Sequence, residues 1–443
     1  SRDWSSDVCS SDLAPYHEAH CLRAHLHMLK LILRELPLFS TFFFSSLGFG
    51  GMQIARPLLG AEFGASIFFI GLLSTTSALA SLIGAPIAGH LTDRWGRRPL
   101  VVLGLIVRVF TGFASVLVTS YEQFFVLEFI GSMGLSFWNT GVNVIIADVT
   151  SPENRGRTMA LRTASQKLGI LCGPAISGVL ADMFGLRSIF LLNSGTKLIA
   201  LAIFITYIAE TRPDAATRAA GKATERLPLS TFFNRRFLVL AMTSFTIYMV
   251  AQGGAFESLF PVHARGAAGV TTAQIGWALS LLNLMSFAIS FPGGALTDRY
   301  GRKAVLLPGL LLLGAGTSLL AGISDYTSVL IALAVMGMGD GLSTGAALVM
   351  AMDMAPAAQR GTFLGIWAFI DRTGAVMAPI VMGSIAAAAG IPVAFFTVTG
   401  CMVVMFCVMG LFGPETQGRR QAVPTATDRK STRLNSSHVK RSR

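Results

Sequence analysis

Charged side chains sit deep inside long apolar runs of this sequence, among them Arg108, Glu128, Lys167, Lys197, Asp340, Asp371 and Arg372. A charge in hydrocarbon is costly unless it is paired or faces water, so such residues are first read as handling protons, ions or substrate. No HExxH and no Cys-x-x-Cys accompanies them, and the phosphate-binding pattern GxxxxGK[ST] is missing. The chemistry on offer is charge pairing and proton exchange, not metal, redox or ATP chemistry. Asp371 is the carboxylate favoured to titrate, with Asp340, in the small-residue run GMGDGLSTG, in reserve. Arg108 and Glu128 are expected to pair, since they differ in depth by roughly one helical turn, which long side chains bridge. For Asp371 and for this pair, a static ion pair is the competing reading.

Polar and aromatic residues in the same runs are candidates to line a ligand cavity: Gln53, Trp138, Asn139, Asn143, Gln166, Tyr248, Gln252, Asn283 and Trp367. A plain helix–helix contact is the alternative for each. Gln166-Lys167 and Asp371-Arg372 lie about ten residues into their runs, near mid-bilayer by the rise of a helix. Adjacent residues point roughly 100° apart, so one of each pair is expected to face the cavity and the other a neighbouring helix. An apolar, aromatic cavity with few charges would suit a lipophilic, cationic compound.

The elements that must hold these residues are membrane helices. The 443 residues are 52% hydrophobic and 13% charged, too apolar for an ordinary soluble chain. Runs long enough to span a bilayer fall near 37 to 56, 67 to 89, 99 to 119, 122 to 148, 158 to 182 and 187 to 208. A second six fall near 237 to 260, 272 to 296, 304 to 323, 326 to 351, 361 to 388 and 391 to 413. An all-α membrane protein of twelve transmembrane helices follows. Lys and Arg gather on one side, at Lys30 and Arg34, Arg94 to Arg98, Arg155 and Arg157, Arg299 to Lys303, Arg360 and Arg419, while the opposite loops hold little beyond Arg56, Arg187 and Arg265. By the positive-inside rule the basic side is cytoplasmic and both termini lie inside.

The expected division is a non-native or upstream leader over 1–27, a six-helix bundle over 28–209, a polar linker over 210–236, a second bundle over 237–415 and a cytoplasmic tail over 416–443. Residues 1–13 and 429–443 are non-periodic and similar to translated sequencing adapters. The tail from Arg429 carries six Lys or Arg and no acid, and the head one Arg against three Asp, so without them the net charge of +12 falls to +8. Cys172, Cys401 and Cys407 lie in apolar runs without disulfide or metal spacing.

The two bundles repeat. GHLTDRWGRRPLVV from Gly89 aligns with GALTDRYGRKAVLL from Gly294, an offset of 205 that also carries Asp148 onto Asp353, Arg155-Gly156 onto Arg360-Gly361 and Pro174 onto Pro379. Six helices per unit make the repeat parallel, with a substrate site between the halves near the midplane.

The loop Gly89-x-x-x-Asp93-Arg94-x-Gly96-Arg97-Arg98, and its copy Gly294-x-x-x-Asp298-Arg299-x-Gly301-Arg302-Lys303, resembles the signature loop of the major facilitator superfamily. Gly169-x-x-x-Gly173-Pro174-x-x-Ser177-Gly178 is similar to the Gly-Pro motif of its antiporters, with Ser177 in place of one Gly and Ala160 at the upstream Gly position. The likeness covers about Leu36 to Phe412 and is nearest the bacterial twelve-span drug:proton antiporter branch. It implies two parallel six-helix bundles working by alternating access, with the loops as conformational latches. In such a latch the Gly admits close helix approach, the basic residues anchor the inner face and the Asp meets a helix N-terminus across the halves. One departure stands out: where family antiporters place an Arg in span four for proton coupling, this chain has Glu128.

Three functions compete. Proton-coupled efflux of a small lipophilic compound comes first. Proton-coupled or facilitated uptake of a small metabolite is second, and a non-transporting receptor or sensor of the same fold is third. None is an enzyme, and none needs a cofactor or metal. The expected partners are a small-molecule substrate, protons and the lipid bilayer, with no nucleic acid, for a chain acting as a monomer.

Overall fold

The computed structural model describes residues 14–149, 152–208, 210, 234–251, 255–356 and 360–416. The proposed leader up to residue 13, most of the linker, Gln252 and the terminal tail fall outside this set, as do the side chains of residues 14–35, Asp93, Ala147, Val149, residues 152–157, Ala160, Ala251, Ala255 and residues 360–362.

Thirteen helices form among the described residues: α1 Ala14–Glu62, α2 Ile67–Trp95, α3 Arg97–Val116, α4 Tyr121–Val149, α5 Pro152–Phe184, α6 Ser188–Tyr207, α7 Arg235–Ala251, α8 Ala255–Ala267, α9 Thr272–Tyr300, α10 Arg302–Ala321, α11 Tyr326–Met354, α12 Arg360–Ala389 and α13 Ile391–Phe412. Eleven are long and apolar enough to cross a membrane. The remaining predicted span, 237 to 260, is shared by α7 and α8. The chain is a multi-pass membrane protein of the expected twelve-span plan. Its first helix outruns the predicted run at both ends: the apolar span itself continues to Glu62, past Arg56 and Pro57, and helical hydrogen bonding continues N-terminally beyond Leu36.

The duplication is physical. In the first half α1 packs on α5 and α6, α2 on α4, and α3 on α4 and α6; in the second α7 packs on α12 and α13, α9 on α11, and α10 on α11 and α13. Shifting each first-half pair by 205 residues gives its second-half counterpart. Two seams join the halves, α5 against α9 and α2 against α12, and the repeat exchanges one for the other. Polar side chains turn inward, whereas Phe110, Leu117, Phe184 and Leu411 lie on the outside, as hydrocarbon solvent demands.

The two signature turns have one design. Gly96 (φ +108°) and Gly301 (φ +101°) end α2 and α9 in backbone conformations that side-chain-bearing residues rarely adopt. The helix that follows each is capped by a carboxylate from the far end of its own half. Glu210 accepts the backbone N–H of Arg97 and Arg98, each at 3.0 Å, and Glu415 those of Arg302 and Lys303 at 3.1 and 3.2 Å. Both caps satisfy orphan donors and complement the helix dipole.

Candidate functional site

A cavity of about 360 Å³ opens between the halves. Its wall takes one face from each contributing helix: Phe49, Gln53 and Arg56 of α1; Ser74, Ser77, Ala78, Ser81 and Leu82 of α2; Ser132, Leu135 and Asn139 of α4. The opposite wall has Tyr248 of α7, Phe256 and Glu257 of α8, Leu279, Leu282 and Asn283 of α9, Asp340 of α11, and Arg372 and Ala375 of α12. Spacings of three and four residues keep each set on one helical stripe.

The lining differs from the apolar, aromatic surface expected. Two bases and two acids, Arg56, Arg372, Glu257 and Asp340, share it with a band of serines, and its aromatic rings are those of Phe49, Tyr248 and Phe256. Arg56 was read as belonging to an outer loop. It lies well inside α1 and is 5% exposed, because that helix continues to Glu62. Its guanidinium pairs with Glu128 at 2.8 Å, and Glu128 also accepts hydroxyls from Ser77 at 2.6 Å and Ser132 at 3.3 Å. The expected Glu128–Arg108 pair is therefore replaced by Glu128–Arg56. Arg108 borders a small pocket beside both and donates to the Gly131 carbonyl at 3.4 Å.

Asp340 faces the cavity with both oxygens engaged, by Ser286 at 2.6 Å and Thr344 at 2.9 Å. Asp371 is 2% exposed and outside the cavity wall, and its Oδ1 has no partner among the described residues. Its neighbour Arg372 is the member of that pair that reaches the cavity. Neither Gln166 nor Lys167 joins the wall. Lys197 is buried in the first bundle, donating to the Ser45 carbonyl and to Asn193 Oδ1, and thereby pins α6 to α1. Of the polar candidates, Gln53, Asn139, Tyr248 and Asn283 line the cavity. Trp138 instead stacks edge-on against Phe42 inside the first bundle, Trp367 donates to Ser244 inside the second, and Asn143 is exposed away from the wall. Glu257 went unread. It accepts from Gln53 Nε2 at 3.1 Å across the halves, and its signal was a lone acid in the apolar stretch AFESLF. Gly341-Leu342-Ser343-Thr344-Gly345 has the spacing of a hydrolase nucleophile elbow, but Ser343 is buried within α11 and donates to the Gly339 carbonyl.

Among the described residues, the basic side chains of the signature loops bond within their own halves. Arg97 bonds Asp148 at 3.1 Å and Arg98 the Ile205 carbonyl at 2.7 Å; Arg302 bonds Asp353 at 2.8 Å and Lys303 the Gly410 carbonyl at 2.6 Å. Asp298 lies 3.7 Å from Arg302, while Arg94 and Arg299 are exposed. Among the described residues the close helix approach expected at Gly89 and Gly294 is not made, since a Cβ at either would meet none of their atoms within 4 Å.

Among the described residues, contacts between the halves cluster at the opposite end. Gly178 admits the Thr272 carbonyl, where a Cβ would stand 2.6 Å from the oxygen, and Gly71 does the same for Pro379 at 2.5 Å. Ser280 accepts the Ala175 N–H at 3.1 Å, and Thr75 donates to the Val376 carbonyl at 3.1 Å. Asp182 accepts the N–H of Thr272 and Ala273, at 3.1 and 3.0 Å, at the start of α9. The Gly-Pro motif thus serves two contacts: Gly169 and Gly173 fit against α1 backbone, and Gly178 against the other half.

A family model described as Major Facilitator Superfamily matches residues 38–271 and 255–443. Multidrug resistance protein 1 of Bacillus subtilis (strain 168) is 25% identical over 361 residues, which span 78% of this chain and 88% of that protein. The multi-drug resistance efflux pump PmrA of Streptococcus pneumoniae serotype 4 is 25% identical over 384 residues, 84% of this chain and 90% of that one. Among solved structures a D-xylose-proton symporter superposes with a TM-score of 0.70 at 17% identity, covering 87% of this chain and 99% of its own. The nucleoside transporter NupG gives 0.70 at 15%, covering 86% and 99%. At such identity the structural likeness concerns the fold alone. With a repeated twelve-span fold, a cavity shared by the halves and a family match over most of its length, this chain is a membrane transporter that belongs to the major facilitator superfamily.

Proposed function

We propose that this transporter is a secondary active antiporter that expels a small lipophilic organic compound in exchange for protons, as a monomer in the bacterial inner membrane with both termini in the cytoplasm. The observation carrying this reading is the cavity of about 360 Å³ walled by both halves, beside which the second bundle places Asp340 and the buried Asp371. That volume suits a drug-sized solute. A rocking of the halves about it would expose the cavity to alternate sides, and relatives named for multidrug resistance agree with efflux. Asp371 is assigned the proton because its Oδ1 can take and release one without first breaking a hydrogen bond to a described residue.

The test is proton movement in inverted vesicles with an acid lumen, using residues 28–428 and a panel of lipophilic cations, neutral drugs and sugars. Proton release on adding a compound, abolished by Asp371→Asn, is the expected result. Solute movement indifferent to pH would replace antiport with facilitated uptake. Coupling that survives in Asp371→Asn would move the proton to another acid.

A further inference from the structure

Four charged side chains line the cavity, and three are already engaged. Arg56 pairs with Glu128, Glu257 accepts from Gln53, and Asp340 holds two hydroxyl donors. Arg372 differs: it lines the cavity, is exposed, and has neither a salt bridge nor a hydrogen bond among the described residues, its one facing acid being its chain neighbour Asp371, on which its charge acts. Asp371 beside it is buried outside the cavity wall and forms no salt bridge with it. A guanidinium carries five donors and no acceptor, and its planar fork matches a compact oxyanion in bidentate fashion. Around the same cavity Phe49, Phe256, Leu279 and Leu282 provide apolar surface, and Tyr248 an aromatic face with a hydroxyl.

We propose that Arg372 is the specificity-determining residue of the cavity and that the solute is an amphiphilic organic anion, its oxyanion held by Arg372 and its apolar body by the rings and leucines between the halves. This rests on the transport reading above and gives its solute an anionic group, in place of the cationic one expected from the sequence. The three bonded charges serve as fixed wall, and the arginine that makes no salt bridge or hydrogen bond among the described residues recognises the ligand.

The experiment compares three compounds with one skeleton: biphenyl-4-sulfonate, neutral biphenyl-4-sulfonamide and biphenyl-4-yl-trimethylammonium. Their charges do not change with the imposed pH gradient, so passive partition does not distort the comparison. Binding is measured by calorimetry on the purified full chain in phosphatidylcholine nanodiscs, and proton-linked movement in inverted vesicles. The sulfonate is expected to bind at least tenfold more tightly than the other two. Arg372→Ala should erase that preference, with thermal unfolding like that of the parent reporting a folded protein, and Arg372→Lys should restore part of it. Equal binding of all three, preference for the ammonium, no binding of any, or a preference that survives Arg372→Ala overturns the proposal. So does loss of sulfonate binding when phosphatidylglycerol replaces phosphatidylcholine, which would assign the arginine to a lipid headgroup. Sulfonate binding without proton movement would sink antiport and leave this inference standing; proton-linked export of neutral or cationic compounds alone would do the reverse.

Discussion

Arg56 and Glu128 are a buried pair with a consequence that separates structure from coupling. Removing the carboxylate as Glu128→Gln leaves a guanidinium uncompensated in the bundle, which costs about 3–5 kcal/mol where a buried pair is broken from one side. Replacing both, Arg56→Met with Glu128→Leu, should recover most of that, because two matched apolar side chains need no compensation. Thermal unfolding in detergent reads both; a double variant as unstable as the single one would show that the pair does more than neutralise itself. Glu128 was visible as a lone acid in an apolar run. Its partner was misassigned because Arg56 stands near the end of the first run, beside Pro57, where a loop looks as plausible as a helix. Arg108 is close in depth, but which of two arginines meets the acid depends on side-chain direction between packed helices, and residue type and spacing carry no record of that. Glu257 was missed for a related reason: it sits toward the end of the predicted seventh span, a place where an exposed acid would cause no comment.

Whole helices show the opposite balance. Twelve spans, their repeat and their pairing were legible because hydrophobic length and a constant offset of 205 residues are properties of the string itself. That offset, applied to Glu210, also finds Glu415, so the caps on α3 and α10 were within reach and were overlooked. What the string could not tell is which glycines touch a neighbour in the adopted conformation. Gly89 and Gly294 belong to the most recognisable motif yet border open space, whereas Gly71, outside any motif singled out, fits against Pro379. At Gly178 the facing atoms are α9 backbone, the Thr272 carbonyl and the Ala273 Cα, which cannot swing aside. Gly178→Val should therefore wedge α5 from α9, with an overpacking cost of about 1–3 kcal/mol that falls on the joined arrangement of the seam. Spin labels on the 185–187 and 268–270 turns would report a longer separation, and transport should fall at least tenfold. Gly89→Ala, facing nothing, should do neither in this arrangement. An unchanged separation in Gly178→Val would mean that the seam yields elsewhere and that the glycine is not its spacer.

At the scale of the molecule the repeat is nearly twofold, but the contact that holds its closed end is not. Asp182 caps the N-terminus of α9 from the other half, and the offset of 205 carries Asp182 onto Ala387. At the matching start of α2 the N-cap residue Ser66 makes no side-chain cap bond. One seam is thus locked by charge on a helix dipole, while the other is held by steric fit at Gly71 and by the Thr75 hydroxyl. A symmetric pair of locks would release together; an asymmetric pair lets a single ionised carboxylate bias the whole rocking motion. Carboxylates at helix N-termini contribute about 0.3–1 kcal/mol, rising to roughly 2 where partly buried. Asp182→Asn should then lower the population of the arrangement described here relative to its alternative by about twofold to thirtyfold. Hydrogen exchange gives the readout: the Thr272 and Ala273 amides, now bonded to Asp182, should exchange faster in the variant, and amides near Gly71 should follow, because the halves move as bodies. Faster exchange confined to Thr272 and Ala273 would reduce Asp182 to a local cap and leave closure of the two halves to packing alone.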